Sequence, residues 1–388
     1  MKKLFLPGFL AASAVLLGGC SALDTINPFS STPQKIKPAE LVKFVPSVEL
    51  RVVWQASIGG SDEYVFTPAV VGNSVYVAAR GGSLARFDDG RQVWRVSAGQ
   101  VVSGGVGSDG KVVVVGTPKG IVLGFDAATG KEIWKTYVSS EVLAAPAVGD
   151  GLVAVRSGDS RIYAFEAADG KRRWVYQRST PALSLRSQAG MALAGRTVFA
   201  GFPGGRLVAI SSVNGAALWE SAVALPKGAT ELERVADVTS IPVVGGREIC
   251  AVAYQGRVAC FDLNTGNQIW SREITSSAGL DMDAKAVYVS DDNGAVQAFE
   301  RSNGSSLWKQ DKLFMRGLSR PLALGGSLGK YVAVADSQGV VHLLRSEDGS
   351  FSGRFASDGS AVSADLQPSK DGFVMQTRRG SIYALSAK

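Results

Sequence analysis

The sequence predicts an all-β protein: one eight-bladed β-propeller built from four-stranded antiparallel blades. Three observations predict it. Tryptophans recur with a period near forty residues, a turn motif of similar text precedes most of them, and each chain end supplies a part of a blade that the other end lacks.

The tryptophan ladder is Trp54, Trp94, Trp134, Trp174, Trp219, Trp270 and Trp308, which accounts for all seven tryptophans of the chain. Six rungs follow related text: FDDGRQVW, FDAATGKEIW, FEAADGKRRW, ISSVNGAALW, FDLNTGNQIW and FERSNGSSLW. An eighth copy, LRSEDGSFSG, carries Gly353 in the tryptophan position. A repeat of this length, made of short strands, marks propeller blades.

Each unit reads as strands separated by glycine turns. Around Trp134 these are KVVVVGT, GIVLGFD and KEIWKTYV, and prolines at 68, 146, 242 and 321 open a short strand ahead of four units. In the turn DAATG, Asp126 is placed to accept backbone N–H bonds and Gly130 to take a positive φ. The recurring acidic residues are therefore turn caps rather than catalytic carboxylates, and the tryptophans are packing between blades. At the ends, ELRVVWQAS lacks the strand that should precede it, and GSIYALSAK is that strand. Pairing first strand to last closes the ring and leaves no long open edge.

Composition narrows the function. The chain has 388 residues, 46% hydrophobic and 19% charged, with a formal charge of +7. There is no arginine-rich run or basic helix, so nucleic-acid binding is not expected. The single histidine, His342, excludes a multi-histidine metal site, and its setting in VVHLL reads as a strand residue rather than a catalytic base. Three motif-like stretches lack their context. Gly105 to Gly110 spells GxGxxG but runs into a strand, the run from Gly325 to Lys330 lacks the residues of a phosphate loop, and Asp291 to Gly294 lacks the downstream glutamate of a calcium loop.

The N-terminus reads as an address. Lys2 and Lys3 precede an apolar run to Leu17, too short to span a membrane, and Leu17-Gly18-Gly19-Cys20 resembles a bacterial lipobox. This divides the chain into a signal peptide at 1–19, a lipidated flexible tether at 20–45 beginning with Cys20, and the propeller at 46–388. By resemblance to the sorting of enterobacterial lipoproteins, Ser21 rather than Asp at this position implies the outer membrane.

Cys250 and Cys260 lie on consecutive strands joined at Gln255-Gly256. A two-residue loop would set Cys250 opposite Phe261. A three-residue loop centred on Gln255 would set it opposite Cys260, within disulfide range. Other blades carry Ala164, Ala209 or Ala384 where Cys260 falls, so a small packed thiol fits the site equally.

The repeat text resembles the PQQ-like propeller family over about residues 50 to 388. Two branches share it: quinoprotein dehydrogenases that hold PQQ and Ca²⁺, and the BamB lipoproteins of the machinery that assembles β-barrels in the outer membrane. A propeller filling the mature chain, the lack of an adjacent cysteine pair, and the lipobox match the BamB branch. That resemblance implies a non-enzymatic scaffold with no cofactor, metal or small-molecule substrate. It would sit at the periplasmic face of the outer membrane in the BAM complex and dock to the POTRA region of BamA. The alternatives are a PQQ/Ca-dependent dehydrogenase and a general ligand-binding propeller.

Leu183-Ser184-Leu185-Arg186 resembles the family's L-x-L-R motif, and Arg234 to Thr239 followed by Pro242 resembles its second segment. The implied docking residues are Leu183, Leu185, Arg186 and Asp237. Thr239 stands where the family often has a second aspartate. The two segments lie in long connections between consecutive blades, expected on one face, where loops on a rigid scaffold carry binding. An alternative role for Arg186 and Asp237 is to pair with each other and order the loops.

Overall fold

A computed structural model describes residues 37–387. The signal peptide, Cys20 and most of the expected tether lie outside the described residues. Of eight four-stranded antiparallel sheets, seven follow one another along the chain, at 69–97, 104–137, 147–176, 191–222, 243–273, 279–310 and 322–356, numbered as blades 1 to 7. Blade 8 combines strands Gln367–Ser369, Gly372–Gln376 and Ser381–Ala387 with Leu50–Ser57 as its outermost member. The register runs from Leu50 opposite Ala387 to Ser57 opposite Ser381, the ring closure expected from the two ends.

The ladder works as a repeated seam between blades. The indole N–H of Trp94 donates to the Ala127 carbonyl at 3.0 Å, Trp134 to Ala167 at 2.8 Å, Trp174 to Ser212 at 2.9 Å, and Trp308 to Ser346 at 2.8 Å. Each acceptor belongs to the next blade. The glycine of that blade's turn lies flat on the ring: a Cβ on Gly130, whose φ is +73°, would fall 2.9 Å from the Trp94 indole. The motif's glycine thus meets two demands, a left-handed backbone and room for the preceding tryptophan.

Beneath six of the seven tryptophans the neighbouring strand carries a small residue; the exception is Trp94, which faces Arg86. Gly124 faces Trp134, Ala164 faces Trp174, Ala209 faces Trp219 and Cys260 faces Trp270. Blade 7 inverts the pair, with Leu343 facing Gly353. Inner strands read as unbroken apolar runs such as VVVVG at Val112–Gly116, because both of their faces pack against neighbouring blades.

The hairpin between Cys250 and Cys260 takes the three-residue form. Gln255 adopts a φ of 47°, the Ala253 N–H donates to the Arg257 carbonyl, and Cys250 stands opposite Cys260 with the two disulfide-bonded at a Cα separation of 4.1 Å. The Asp291 turn is a capped hairpin: its carboxylate accepts the N–H groups of Asn293 and Ala295.

The last residues of the expected tether are held against the propeller, with the Ala39 N–H donating to the Phe314 carbonyl and Arg354 donating to the Val42 carbonyl. Two arginines of blade 7 and the connection before it supply partners that a Pro- and Lys-rich segment does not advertise.

Candidate partner-docking face

Hairpins joining second to third strands and connections joining consecutive blades share one face of the ring. Two of those connections are long: 177–190 between blades 3 and 4, and 223–242 between blades 4 and 5. Tyr176 ends the last strand of blade 3, and the chain leaves it through Arg178, whose guanidinium lies over the Phe202 ring and bonds Glu220 at 2.9 Å. From there it rises to an exposed run at Pro181 to Arg186.

Leu183 and Leu185 are 41% and 37% exposed, so each leaves a good part of an apolar side chain in water. Arg186 is exposed but not loose. Its Nε and Nη2 donate to the two carboxylate oxygens of Glu141 at 2.8 and 2.7 Å, a forked pair that fixes the guanidinium plane. The bond from Arg186 holds the Glu141 carboxyl below its ordinary range despite partial burial. Glu141 comes from the connection between blades 2 and 3, where its carbonyl also accepts the Gly158 N–H. Sequence reasoning missed Glu141. Its only signal was membership of a connection on the same face.

Asp237 lies beneath the surface of this face, 3% exposed. Its carboxylate accepts the Leu185 N–H at 2.7 Å and the Gly204 N–H at 3.0 Å, and its carbonyl accepts the Tyr254 N–H at 2.9 Å. One residue therefore ties the Leu183–Arg186 run to the hairpins of blades 4 and 5. The physical reason is the cost of leaving those N–H groups unpaired under a loop. Asp237 does not pair with Arg186, which is engaged by Glu141. A second arginine, Arg156, lies buried below the loop, donating to the Gly201 carbonyl at 2.6 Å and stacking on Phe202. Burial pulls its pKa down to about 10, opposed by the Asp237 carboxylate. Thr239 is half-buried, its hydroxyl 3.4 Å from the Ser277 carbonyl.

The second connection presents Leu225 and Leu232 on a compact turn in which Glu233 accepts the N–H groups of Ala229 and Thr230. Inside the ring of connections opens a funnel of about 600 Å³, lined in part by Leu185, Arg186, Thr239 and Arg320. Arg320 lies between two carboxylates there, 3.4 Å from Asp281 and 3.5 Å from Asp365. Burial pushes both acids up. Among the described residues no cluster of three or more His, Cys, Asp or Glu is arranged to hold a metal ion. His342 is fully buried in the strand Val340–Arg345, away from this face.

Comparison with known proteins decides the family. Residues 80–310 match the family model described as outer membrane protein assembly factor BamB. The BamB of Bordetella pertussis is 43% identical over 98% of both chains. The chain belongs to the BamB family. The BamB of Escherichia coli is 33% identical over 100% of this chain and 99% of its own. Among solved structures, BamB from Moraxella catarrhalis superposes with a TM-score of 0.80 at 30% identity, covering 87% of this chain and 99% of that one. A quinohemoprotein alcohol dehydrogenase from Comamonas testosteroni reaches a TM-score of 0.70 at 14% identity, which shows a shared propeller and no more. The family is one of assembly factors, not enzymes, so the dehydrogenase alternative falls with the assignment.

Proposed function

We propose that this chain is a scaffold subunit of the outer-membrane β-barrel assembly machinery, the BAM complex. In this reading it acts in the periplasm at the outer membrane and docks to the POTRA region of BamA through Leu183, Leu185 and Arg186. The relatives' common name supports the assembly role. One observation carries the docking surface: two half-exposed leucines flank a forked, immobilised arginine on a loop that a buried carboxylate holds from beneath. An apolar anchor beside an arginine is the composition of an interface hot spot. Its immobilisation lowers the ordering cost of binding.

In the same reading residues 1–19 are removed as a signal peptide and Cys20 carries the lipid that keeps the protein at the membrane, with the segment after it as tether. More than one acyl chain is needed for stable anchoring, which lipidation of an N-terminal cysteine provides.

The test is co-purification of BamA with the lipidated chain. A Leu183→Ala, Leu185→Ala, Arg186→Ala variant should fold normally and lose BamA. Retention of BamA at the wild-type level by that variant would place the interface elsewhere.

A further inference from the structure

The repeat's one missing tryptophan has a structural consequence. At Gly353 the strand Phe351–Ala356, the outermost of blade 7, leaves the ring position empty, and the N-terminal segment runs through the space. A Cβ on Gly353 would fall 2.8 Å from the Val48 carbonyl. The N–H groups of Ser47 and Val48 donate to the Ser352 carbonyl at 2.9 and 3.0 Å. Val48 and Leu50 are buried with Leu343, Leu366 and Phe373 in the seam between blades 7 and 8.

Further back the segment is gripped by two arginines. Phe44 stacks on Phe351 at 5.5 Å and lies under the Arg354 guanidinium at 4.8 Å. Arg354 donates to the Val42 carbonyl at 3.0 Å, and Arg316 donates to the Ala39 carbonyl at 2.9 Å. The two arginines are joined inside the protein. Arg316 bonds Asp336 at 2.6 Å, Asp336 accepts from His342 Nε2 at 3.1 Å, and His342 Nδ1 accepts from Arg354 Nε at 3.3 Å. The chain's sole histidine is thus the middle of a circuit whose two ends hold one segment.

We infer that the flank of blade 7 is a built docking site for residues 38–48 of this same chain, and that occupancy of this site sets the face from which the tether leaves the propeller. The strand Leu50–Ser57 begins on the face opposite the long connections, because Leu50 pairs with Ala387 at the far end of the last strand. Docked, the segment runs back along blade 7 to Ala39, which bonds the connection between blades 6 and 7. It therefore delivers the tether to the face that carries Leu183 to Arg186, on the far side of the ring from that loop. On the reading that Cys20 is the lipid attachment point, the docked tether reaches at most about 60 Å from its anchor. Release of the segment would add about 40 Å and move the exit to the other face. The segment acts as a strap that directs the docking face and the lipid anchor the same way.

Pairs of spin labels test this, on the mature chain with Cys20→Ser and its native disulfide intact. One label at Glu40 is paired with a second at Gln338, on the connection face, or at Glu347, on the other. The strap predicts narrow distributions, short to position 338 and long to position 347. Phe44→Ser, and Phe44→Ser with Arg354→Gln, should broaden both distributions, and amides of the 39–48 segment should exchange at least about tenfold faster while those of Leu50–Ser57 stay protected. A broad wild-type distribution, or variants that leave it narrow, overturns the inference. Because the labelled chain lacks the thiol at position 20, these outcomes do not depend on lipidation. Palmitate incorporation into the unmodified chain reports that reading separately.

Discussion

The Asp237 carboxylate accepts the backbone N–H of Leu185 at 2.7 Å across 52 residues of sequence. The bond makes one connection between blades the support of another, so the exposed run from Leu183 to Arg186 is held in place before any partner arrives. Asp237→Ala should therefore act through the loop. It orphans two N–H groups and leaves buried Arg156 without its nearby opposing charge, at a cost of about 3 kcal/mol. Amide exchange at residues 181–187 should rise and BamA co-purification should fall together. Asp237→Asn, which keeps one carbonyl acceptor, should lie between. Loss of BamA with an unchanged loop would instead make Asp237 a direct contact.

The seam glycines predict a stability effect far from the docking face. Gly130→Ala places a Cβ 2.9 Å from the Trp94 ring at a φ of +73°. The strain and the clash together should lower stability by about 2–4 kcal/mol, read as a lower denaturation midpoint with an unchanged slope. Gly72→Ala, also at positive φ (+59°) but with nothing within 4 Å, should cost only the backbone part.

The cysteine pair predicts a thiol count. The denatured, unreduced mature protein should show no free thiol from Cys250 or Cys260. Reduction should lower stability by about 2–3 kcal/mol, the modest value for so short a closed loop. Two reactive thiols would mean packing residues without a bond.

His342 predicts a pH dependence. Burial, helped by Arg354 and Arg316, holds its imidazole below the ordinary value near 6.5, against the pull of Asp336. The folded state thus keeps it neutral, while the unfolded chain takes up a proton below pH 6.5. Its contribution is fully present above that value and is lost as pH falls from 6.5 toward the lowered folded pKa, by at most about 1.4 kcal/mol per pH unit. Burial also pushes Asp336 up, but bonds from His342, Val340 and Arg316 outweigh it, so its own loss comes only below the usual aspartate range. His342→Gln should flatten the stability profile between pH 6.5 and 5. An unchanged slope would assign that titration elsewhere.

The blade count and ring closure were legible because seven of the eight seams repeat the same physical pair, a tryptophan over the next blade's turn glycine, and repetition makes a local contact visible in sequence. Leu183, Leu185 and Arg186 were legible through a motif, and the structure places all three at the surface of one loop. What was not legible has no repeat behind it. Glu141 belongs to a connection of no special text. Asp237 looks like any loop carboxylate until its N–H partners are seen to come from two other segments. The cysteine pairing turned on one residue of hairpin geometry, the positive φ of Gln255. The strap was visible only as an omission, Gly353 in place of tryptophan, and needed Leu343 and Val48 to explain it.

The most direct measurement of the docking claim is a binding titration of the soluble mature chain against the purified POTRA region of BamA. Arg186→Ala and the Leu183→Ala, Leu185→Ala pair should each weaken binding by at least about tenfold, with unchanged thermal midpoints, since each leucine has roughly 1 kcal/mol of exposed apolar surface left to bury and the arginine is pre-oriented. Glu141→Gln, which loosens Arg186 without removing it, should weaken binding less and mainly speed dissociation. Wild-type affinity in all three variants would contradict the account.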